Sequence, residues 1–192
     1  FNIIGSVASE ENALAAIIQE EADKLALLTG AALTLANFTD LTQSITRTMK
    51  TVLLKNTVLE AKLTETLNFI DTEGFDFTPA FVDNLIAILG RIANEENALG
   101  NLIGRLGNAV ILLAPLLTSL EQLQFVDEIV ISLMRVITEK NLVLLSKLRR
   151  LVRFIENNSN IFATPTPAQV AAVVANINAL ITSITVEENG LS

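Results

Sequence analysis

The chain has 192 residues, 51% hydrophobic and 18% charged, and it contains no His, Cys, Trp or Tyr. Without His and Cys it has no imidazole base, no thiolate nucleophile, and no zinc, haem or iron–sulfur site built from those residues. Its 21 acidic and 13 basic residues give a net charge of −8, which argues against nucleic acid as a partner. We therefore predict no enzymatic activity and no cofactor.

The chain repeats itself at a spacing of 85 residues. Residues 5–71 align with residues 90–156 without a gap, and twenty of the 67 positions are identical. The clearest block pairs Ala8–Leu14 with Ala93–Leu99, and its Glu-Glu-Asn motif returns at Glu187–Asn189. The pattern predicts a first repeat at 1–77 that is shortened at its N-terminus, a second at 78–163, and a partial third at 164–192 that forms a C-terminal helix.

The first predicted helix has one apolar stripe at helical spacing, which also includes Glu11. Its apolar members are Ile4, Val7, Leu14, Ile18, Leu25 and Leu28. The aligned stripe of the second repeat includes Glu96, and we expect both helices to end or kink near Gly30 and Pro115. Asn37–Asp40 is predicted to be a link, with Thr39 as the N-cap of the next helix.

A long helix follows in each repeat. Its seam in the first repeat consists of Ile45, Met49, Val52, Asn56, Leu59, Leu63, Thr66 and Ile70. The matching seam consists of Val130, Met134, Ile137, Asn141, Leu144, Leu148, Leu151 and Ile155. Spacings of four and three residues indicate long helices packed along their length. Loops are predicted at 71–78 and 157–166, with Thr-Pro at 78–79 and 166–167 starting the next helices.

Signals for β-hairpins are lacking, so the predicted fold class is all-α. More specifically, we predict a tandem duplication of a long-helix hairpin that forms an elongated helical bundle.

Three glutamates of the repeated motif are candidate interface residues. Glu11, Glu96 and their third counterpart Glu188 lie on or near apolar stripes, where a carboxylate needs a cationic or amide partner. Lys55 and Lys140 occupy aligned positions and are the candidate partners. The motif is predicted to form structural ion pairs or caps, and the alternatives are partner binding and an oxygen-only Ca²⁺ or Mg²⁺ site.

Asn56 and Asn141 occupy the same seam position in the two repeats. A polar residue in such a seam fixes the register of packed helices, and a slight rotation that exposes both is the alternative. A basic cluster occurs in the second repeat alone, and it is interpreted as a solvated face or as a dock for an acidic surface. Its members are Lys147, Arg149, Arg150 and Arg153.

The segment Ala168–Val186 is apolar around most of its circumference, so it must be covered. Its candidate interface residues are Val170, Val174, Ile177 and Ile181. Its moderate hydropathy and its Asn, Thr and Ser residues argue against a membrane span. We predict that it completes the shortened first repeat of a neighbouring subunit, head to tail, and packing within the same chain is the alternative.

Both helix patterns resemble uncharacterised tandem-repeat α-helical proteins of spore-forming Firmicutes. The first pattern is carried by Ser6, Ala8, Glu10, Glu11, Leu14, Ile17, Ile18 and Glu21. The second is carried by Arg47, Thr48, Met49, Val52, Leu53, Lys55, Val58, Leu59, Lys62, Leu63 and Leu67. The resemblance implies a structural role at a bacterial spore or cell surface, and it supplies no catalytic residues.

We therefore expect a self-assembling structural protein, a subunit of a filament, appendage or surface or coat layer that polymerises head to tail through its C-terminal helix. Its expected partner is itself, with spore or cell-surface proteins as further candidates, and neither nucleic acid nor a membrane span is expected. The expected location is the outside of the bacterial cell or spore, with the cytoplasm as the alternative. The alternative function is a soluble helical-bundle module that binds a peptide or an apolar ligand.

Overall fold

A computed structural model describes residues 2–73, 78–158 and 166–191, with side chains for 3–73, 78–158 and 166–185. Within these ranges the chain forms five long helices and no strand, so the fold is an all-α helical bundle. The helices are α1 (Asn2–Ala26), α2 (Leu35–Glu73), α3 (Pro79–Leu113), α4 (Leu120–Asn157) and α5 (Pro167–Leu191). Short 3-10 turns at Gly30–Ala32 and Ala114–Leu116 separate α1 from α2 and α3 from α4.

Side-chain caps start the later helices where the sequence predicts them. Thr78 Oγ1 accepts a hydrogen bond from the Phe81 amide at 3.3 Å, and Pro79 occupies the first turn of α3. At α5, Thr166 Oγ1 accepts from the Gln169 amide at 3.2 Å, and Gln169 Oε1 accepts from the Thr166 amide at 3.0 Å. This reciprocal pair is a capping box, and both Thr-Pro predictions are confirmed.

The predicted link at Asn37–Asp40 is wrong, because α2 already begins at Leu35. Thr34 Oγ1 accepts a hydrogen bond from the Asn37 amide at 3.1 Å, whereas Thr39 lies inside the helix. Phe38 is fully buried, and placing this large side chain in the core draws the segment into α2. The predicted breaks near Gly30 and Pro115 are confirmed, and the φ of 54° at Gly30 is a backbone conformation that favours glycine.

Helices α1, α3 and α5, which we call the lead helices, pack side by side in parallel. Between α1 and α3, Asn101 Nδ2 donates to Gln19 Oε1 at 2.8 Å. Nearer the N-terminal ends of both helices, Asn84 of α3 lies beside Gly5 of α1. Gln169 Nε2 donates to Asp83 Oδ1 at 3.0 Å between α3 and α5. This row places α3 in the middle, with α1 and α5 on its two sides.

The long helices α2 and α4 also pack in parallel. Ser146 Oγ donates to Glu60 Oε1 at 2.9 Å, and Asn158 Nδ2 donates to Asp71 Oδ1 at 2.8 Å. They cover the row of lead helices, with α2 contacting α1 and α4 contacting α3. The hydrophobic core lies between the two layers, and all six apolar members of the predicted α1 stripe are buried in it.

The predicted seam of α4 is out of phase. Its buried face consists of Val126, Ile129, Leu133, Val136, Ile137, Lys140, Leu144, Lys147, Leu151 and Phe154, mostly one residue before the predicted positions. One residue along a helix corresponds to a rotation of about 100°. This rotation turns two lysines inward and leaves Asn141 half-buried. In α2 the predicted seam is buried except at Thr66, where Leu67 is buried instead.

The predicted loops are correct only in part. Helix α2 continues to Glu73, which lies inside the predicted loop at 71–78, and α4 ends at Asn157. Residues 74–77 and 159–165 lie outside the described residues. The first predicted repeat therefore ends, at residue 77, within the undescribed residues, and the boundary between 163 and 164 also lies within them.

Candidate functional site

Two carboxylates and two lysines meet in the core. Glu11 of α1, Glu95 of α3, and Lys140 and Lys147 of α4 are fully buried. Lys147 Nζ lies 2.5 Å from Glu11 Oε1, and Lys140 forms an ion pair with Glu95. Burying isolated charges is costly, and direct pairing offsets that cost. We call these four residues, together with Asn56, the core charge cluster.

Asn56 brings α2 into the core charge cluster. Its Nδ2 donates a hydrogen bond to Glu95 Oε2 at 2.7 Å, and its side chain is fully buried. The carboxyl groups of Glu11 and Glu95 are close enough to influence each other's titration. The cluster therefore joins α1, α2, α3 and α4.

The pKa values of the two carboxyl groups are shifted in opposite directions. Burial, reinforced by the neighbouring Glu95 carboxyl group, raises the pKa of Glu11 to about 8. Burial acts on Glu95 in the same direction, but the charge of Lys140 and the interaction with Glu11 outweigh it, so the pKa of Glu95 is lowered. Burial also lowers the pKa of Lys140. Glu11 is therefore the carboxyl group of the pair that takes up a proton first as the pH falls.

A second cluster of the same residue types lies at the surface. Lys62 Nζ is 3.2 Å from Glu10 Oε1, and Lys55 also forms an ion pair with this carboxylate. The hydrogen bond from Lys55, with a smaller one from Lys62, lowers the pKa of Glu10. We call these three residues the surface charge cluster. Lys55 thus binds Glu10 rather than Glu11.

The structure brings together only some of the predicted candidates. Glu11, Lys140 and Asn56 lie in the core charge cluster. Glu96 is half-buried, because Glu95 takes the interior position that the sequence assigned to it. The side chain of Glu188 lies outside the described residues.

Sequence reasoning missed Glu95 and did not count Lys147 among the site residues, although docking on an acidic surface was one interpretation of its basic cluster. Adjacent glutamates differ by about 100° around a helix, and a periodic stripe does not decide which of two neighbours turns inward. Lys147 is part of the basic cluster, but it docks on Glu11 in the core rather than lying on a solvated face. The available signal was that lysines stand at aligned positions in both repeats. Lys62 and Lys147 align with each other, and each follows a second shared lysine, Lys55 or Lys140, by two helical turns.

Helix α5 attaches to α3 through both polar and apolar side chains. Asn176 Nδ2 donates to the carbonyl oxygen of Ile86 at 2.9 Å. Gly90 allows the close approach, because a Cβ there would lie 2.9 Å from Asn176 Oδ1. Val173 lines an apolar cavity together with α3, and Leu180 packs against the hydrophobic core.

The apolar side of α5 faces outward. Five side chains are between 46% and 59% exposed: Val170, Val174, Ile177, Ile181 and Ile184. At its first turns this face borders an apolar cavity of about 280 Å³ shared by α3, α4 and α5, and Val152 of α4 lines the same cavity. An exposed apolar stripe beside an apolar groove is typical of an interaction surface.

Two described segments are long and apolar enough to cross a membrane by length and composition alone, Pro79–Leu116 and Pro167–Thr185. The first belongs to the core helix α3, whereas little of the second is buried. Among the side chains that the structure describes, no group of three or more acidic residues is placed to hold a metal ion. The metal alternative for the acidic motif therefore has no geometric support there.

Comparison with known families gives one result. A family model described as alpha-helical endospore appendage domain matches two segments, residues 1–70 and 81–155. Comparisons with curated proteins and with solved structures give no match. Because the matched segments cover well over half of the sequence, the chain belongs to the alpha-helical endospore appendage domain family.

Proposed function

We propose that the protein is a structural subunit of an endospore appendage on the outside of the spore, and that it polymerises head to tail through α5. Family membership supports the structural role in a spore appendage. The observation that carries the finer proposal is the outward apolar face of α5, whose five large side chains its own chain leaves about half exposed. The proposal assigns no catalytic residue.

Covering this face stabilises an assembly appreciably. Full burial of a Val or Ile side chain contributes about 1.5–3 kcal/mol, and the five side chains are each about half exposed. Covering them therefore contributes on the order of 5 kcal/mol before the cost of association. This gain is enough to drive assembly when neighbouring surfaces add contacts.

The position of α5 favours an open assembly. It lies on one side of the lead-helix row, and α1 lies on the other. A contact between α5 and a different surface of a second copy is heterologous, and repetition of such a contact gives a ring or a filament. A filament is the form that an appendage requires.

We also propose that the chain is a tandem duplication, with units at 1–77, 78–163 and 164–192. The family model matches twice, once within each of the first two units. Packing supports the third unit, since Asn84 approaches Gly5 on α1 and Asn176 approaches Gly90 on α3. The two glycines align at the 85-residue spacing, so α5 contacts α3 much as α3 contacts α1.

The function is tested with the full chain by negative-stain electron microscopy and by measuring mass in solution. The variant Val174→Ser/Ile177→Ser/Ile181→Ser removes apolar surface from α5. Its matched control is Ile131→Ser/Leu142→Ser/Leu145→Ser, which changes three exposed apolar residues of α4. We expect regular assemblies for the parent and the control, and single copies for the α5 variant. Normal assembly of the α5 variant, or single copies of the parent at every concentration, contradicts the proposal.

The cavity between α3, α4 and α5 supports a second candidate, a module that binds an apolar ligand. Its volume of about 280 Å³ lies just below the usual range for small-molecule sites, about 300–1,000 Å³. The exposed α5 face extends beyond it to Ile184, which a small ligand leaves uncovered. The assembly function therefore explains more of the surface.

A further inference from the structure

Helix α5 carries the same side-chain pattern as α3. When Glu187–Asn189 is aligned with Glu95–Asn97, each α5 residue follows its α3 counterpart by 92 positions. The α5 residues Val174, Ile177 and Ile184 then match Val82, Leu85 and Ile92. In α3 these side chains are 8%, 2% and 1% exposed, whereas their α5 counterparts are 52%, 46% and 51% exposed.

The long helix α4 covers these side chains of α3. Val82 and Leu85 line the apolar cavity opposite Leu151 of α4, and the rings of Phe81 and Phe154 meet edge to face at 5.9 Å. The corresponding face of α5 therefore has the pattern that receives a long helix of the α2 or α4 kind.

Within the chain, α4 already packs on α3, and α2 already packs on α1. The α5 face borders the groove that contains Val152 of α4, so a helix docked there covers α4 and α5 together. The helix that fits must come from a second copy.

Helix α2, which packs on α4, presents a suitable exposed surface. Leu54, Val58 and Ala61 lie at spacings of four and three residues on one exposed stripe, which we call the α2 stripe. Leu54 is 70% exposed and Val58 is 50% exposed. The stripe and the α5 face are thus two different apolar surfaces, as a head-to-tail contact requires.

We propose that the α5 face of one copy docks on the α2 stripe of a second copy. The inference rests on the proposed function and names its receiving surface. In the contact, the exposed face of α2 of the second copy covers α5, whereas α4 covers α3 with its buried face.

A lipid surface fits the α5 face less well. Asn178 and Thr182 are exposed on α5, and residues 166–185 contain no Lys or Arg to attract anionic lipid headgroups. The chain also has no Trp or Tyr to anchor a helix at a membrane interface.

The absence of cysteine permits a clean cross-linking test of this contact. The single variants Ile177→Cys and Val58→Cys are mixed and oxidised, and the products are separated under non-reducing conditions. Because a disulfide requires Cα atoms about 4.4–6.8 Å apart, Ile181→Cys is also paired with Leu54→Cys and Ala61→Cys to cover neighbouring registers. We expect a covalent dimer with one copy of each variant, and a ladder of multimers when both cysteines share one chain.

Two controls define the specificity. The first control is Leu142→Cys, which places a cysteine on α4 at a position where the native leucine is 62% exposed. The second control is Ile177→Cys alone, which reports contact between two α5 helices. Cross-linking to Leu142→Cys as strong as that to the α2 stripe, or cross-linking of Ile177→Cys to itself, overturns the inference. Absence of cross-links at every α2 position does the same.

A substitution test separates the inference from the proposed function. We expect Val58→Glu to raise the concentration needed for assembly at least about tenfold, because it buries an unpaired carboxylate, while Leu142→Glu leaves it unchanged. If the parent assembles and Val58→Glu assembles equally well, the receiving surface is wrong but assembly through α5 stands. If the parent never assembles, the function itself fails. A further measurement is flotation of the protein with phosphatidylcholine vesicles. If the parent floats with the vesicles and Ile177→Lys does not, the α5 face binds lipid rather than a second copy, and the inference is overturned.

Discussion

The core charge cluster and the surface charge cluster are built from aligned sequence positions, yet one is buried and the other is exposed. Glu10 aligns with Glu95, and Lys55 aligns with Lys140. At the surface a single carboxylate binds two lysines, whereas in the core each carboxylate has its own lysine. The same local sequence therefore supplies the charges, and helix rotation decides whether they meet in water or in the core.

The difference bears on the proposed role. The surface charge cluster joins α1 to α2, both within the first matched segment. The core charge cluster joins Glu11 and Asn56 of that segment to residues of the second. We therefore infer that the buried contacts hold the two matched segments in one fixed register.

The largest expected effect comes from removing a buried cation. Lys140→Ala leaves Glu95 buried without its ion pair, and we expect the free energy of unfolding to fall by about 3–5 kcal/mol. Urea denaturation followed by circular dichroism measures this loss. The double variant Lys140→Met/Glu95→Leu removes both charges and should lose less than the single variant. A loss below about 1 kcal/mol for Lys140→Ala would show that the core pair is worth no more than a surface pair.

The next effect is a dependence on pH. Glu11 has a folded-state pKa of about 8, above the unfolded value of 4.5. Its stabilising contribution is therefore complete below pH 4.5 and decreases by up to about 1.4 kcal/mol per pH unit as pH rises through 8. Glu95, with a lowered pKa, acts oppositely and loses its contribution as pH falls below its unfolded value.

Glu11→Gln should flatten this dependence between pH 5 and pH 8, because glutamine does not titrate. Urea denaturation of parent and variant at matched pH values tests the sign. Parallel pH profiles for the two proteins would show that Glu11 does not titrate in this range.

A smaller loss is expected from Asn56→Leu, which removes the amide donor to Glu95 and leaves a buried acceptor less satisfied. We expect about 1–3 kcal/mol of destabilisation in the same denaturation assay. The matched variant Asn141→Leu changes the aligned, half-buried asparagine and should cost less. Equal losses would argue that the two positions share one role despite their different burial.

The smallest effect is expected from Lys55→Ala in the surface charge cluster. The Lys55 side chain is about half exposed, and Lys62 remains on Glu10 after the substitution. A surface ion pair contributes about 0–1 kcal/mol, so unfolding should change by less than about 1 kcal/mol and the change should shrink further in salt. A loss comparable with that of Lys140→Ala removes the contrast between the clusters.

Several features of the fold follow from local sequence. The apolar stripe of α1 and most of the seam of α2 are buried as predicted, because a periodic stripe of apolar side chains has to leave water. The Thr-Pro starts of α3 and α5 are also correct, since a side-chain cap needs only residues within one turn. The link at Asn37–Asp40 failed because burial of Phe38 outweighed its local turn signals.

Among the candidate residues, the sequence by itself determined that glutamates, lysines and an asparagine would stand on the faces of packed helices. It did not determine that Glu95, rather than Glu96, and Lys147 would enter the core. The choice of Lys147 depends on the rotation of α4 by about one residue, and the choice of Glu95 depends on the rotation of α3. The rotation of α4 is set by its simultaneous contacts with α2, α3 and the carboxylate of α1. Likewise, composition showed that α5 is apolar, but only tertiary packing decided which side faces α3, because Asn176 and Gln169 find hydrogen-bond partners there and the isoleucines do not need any.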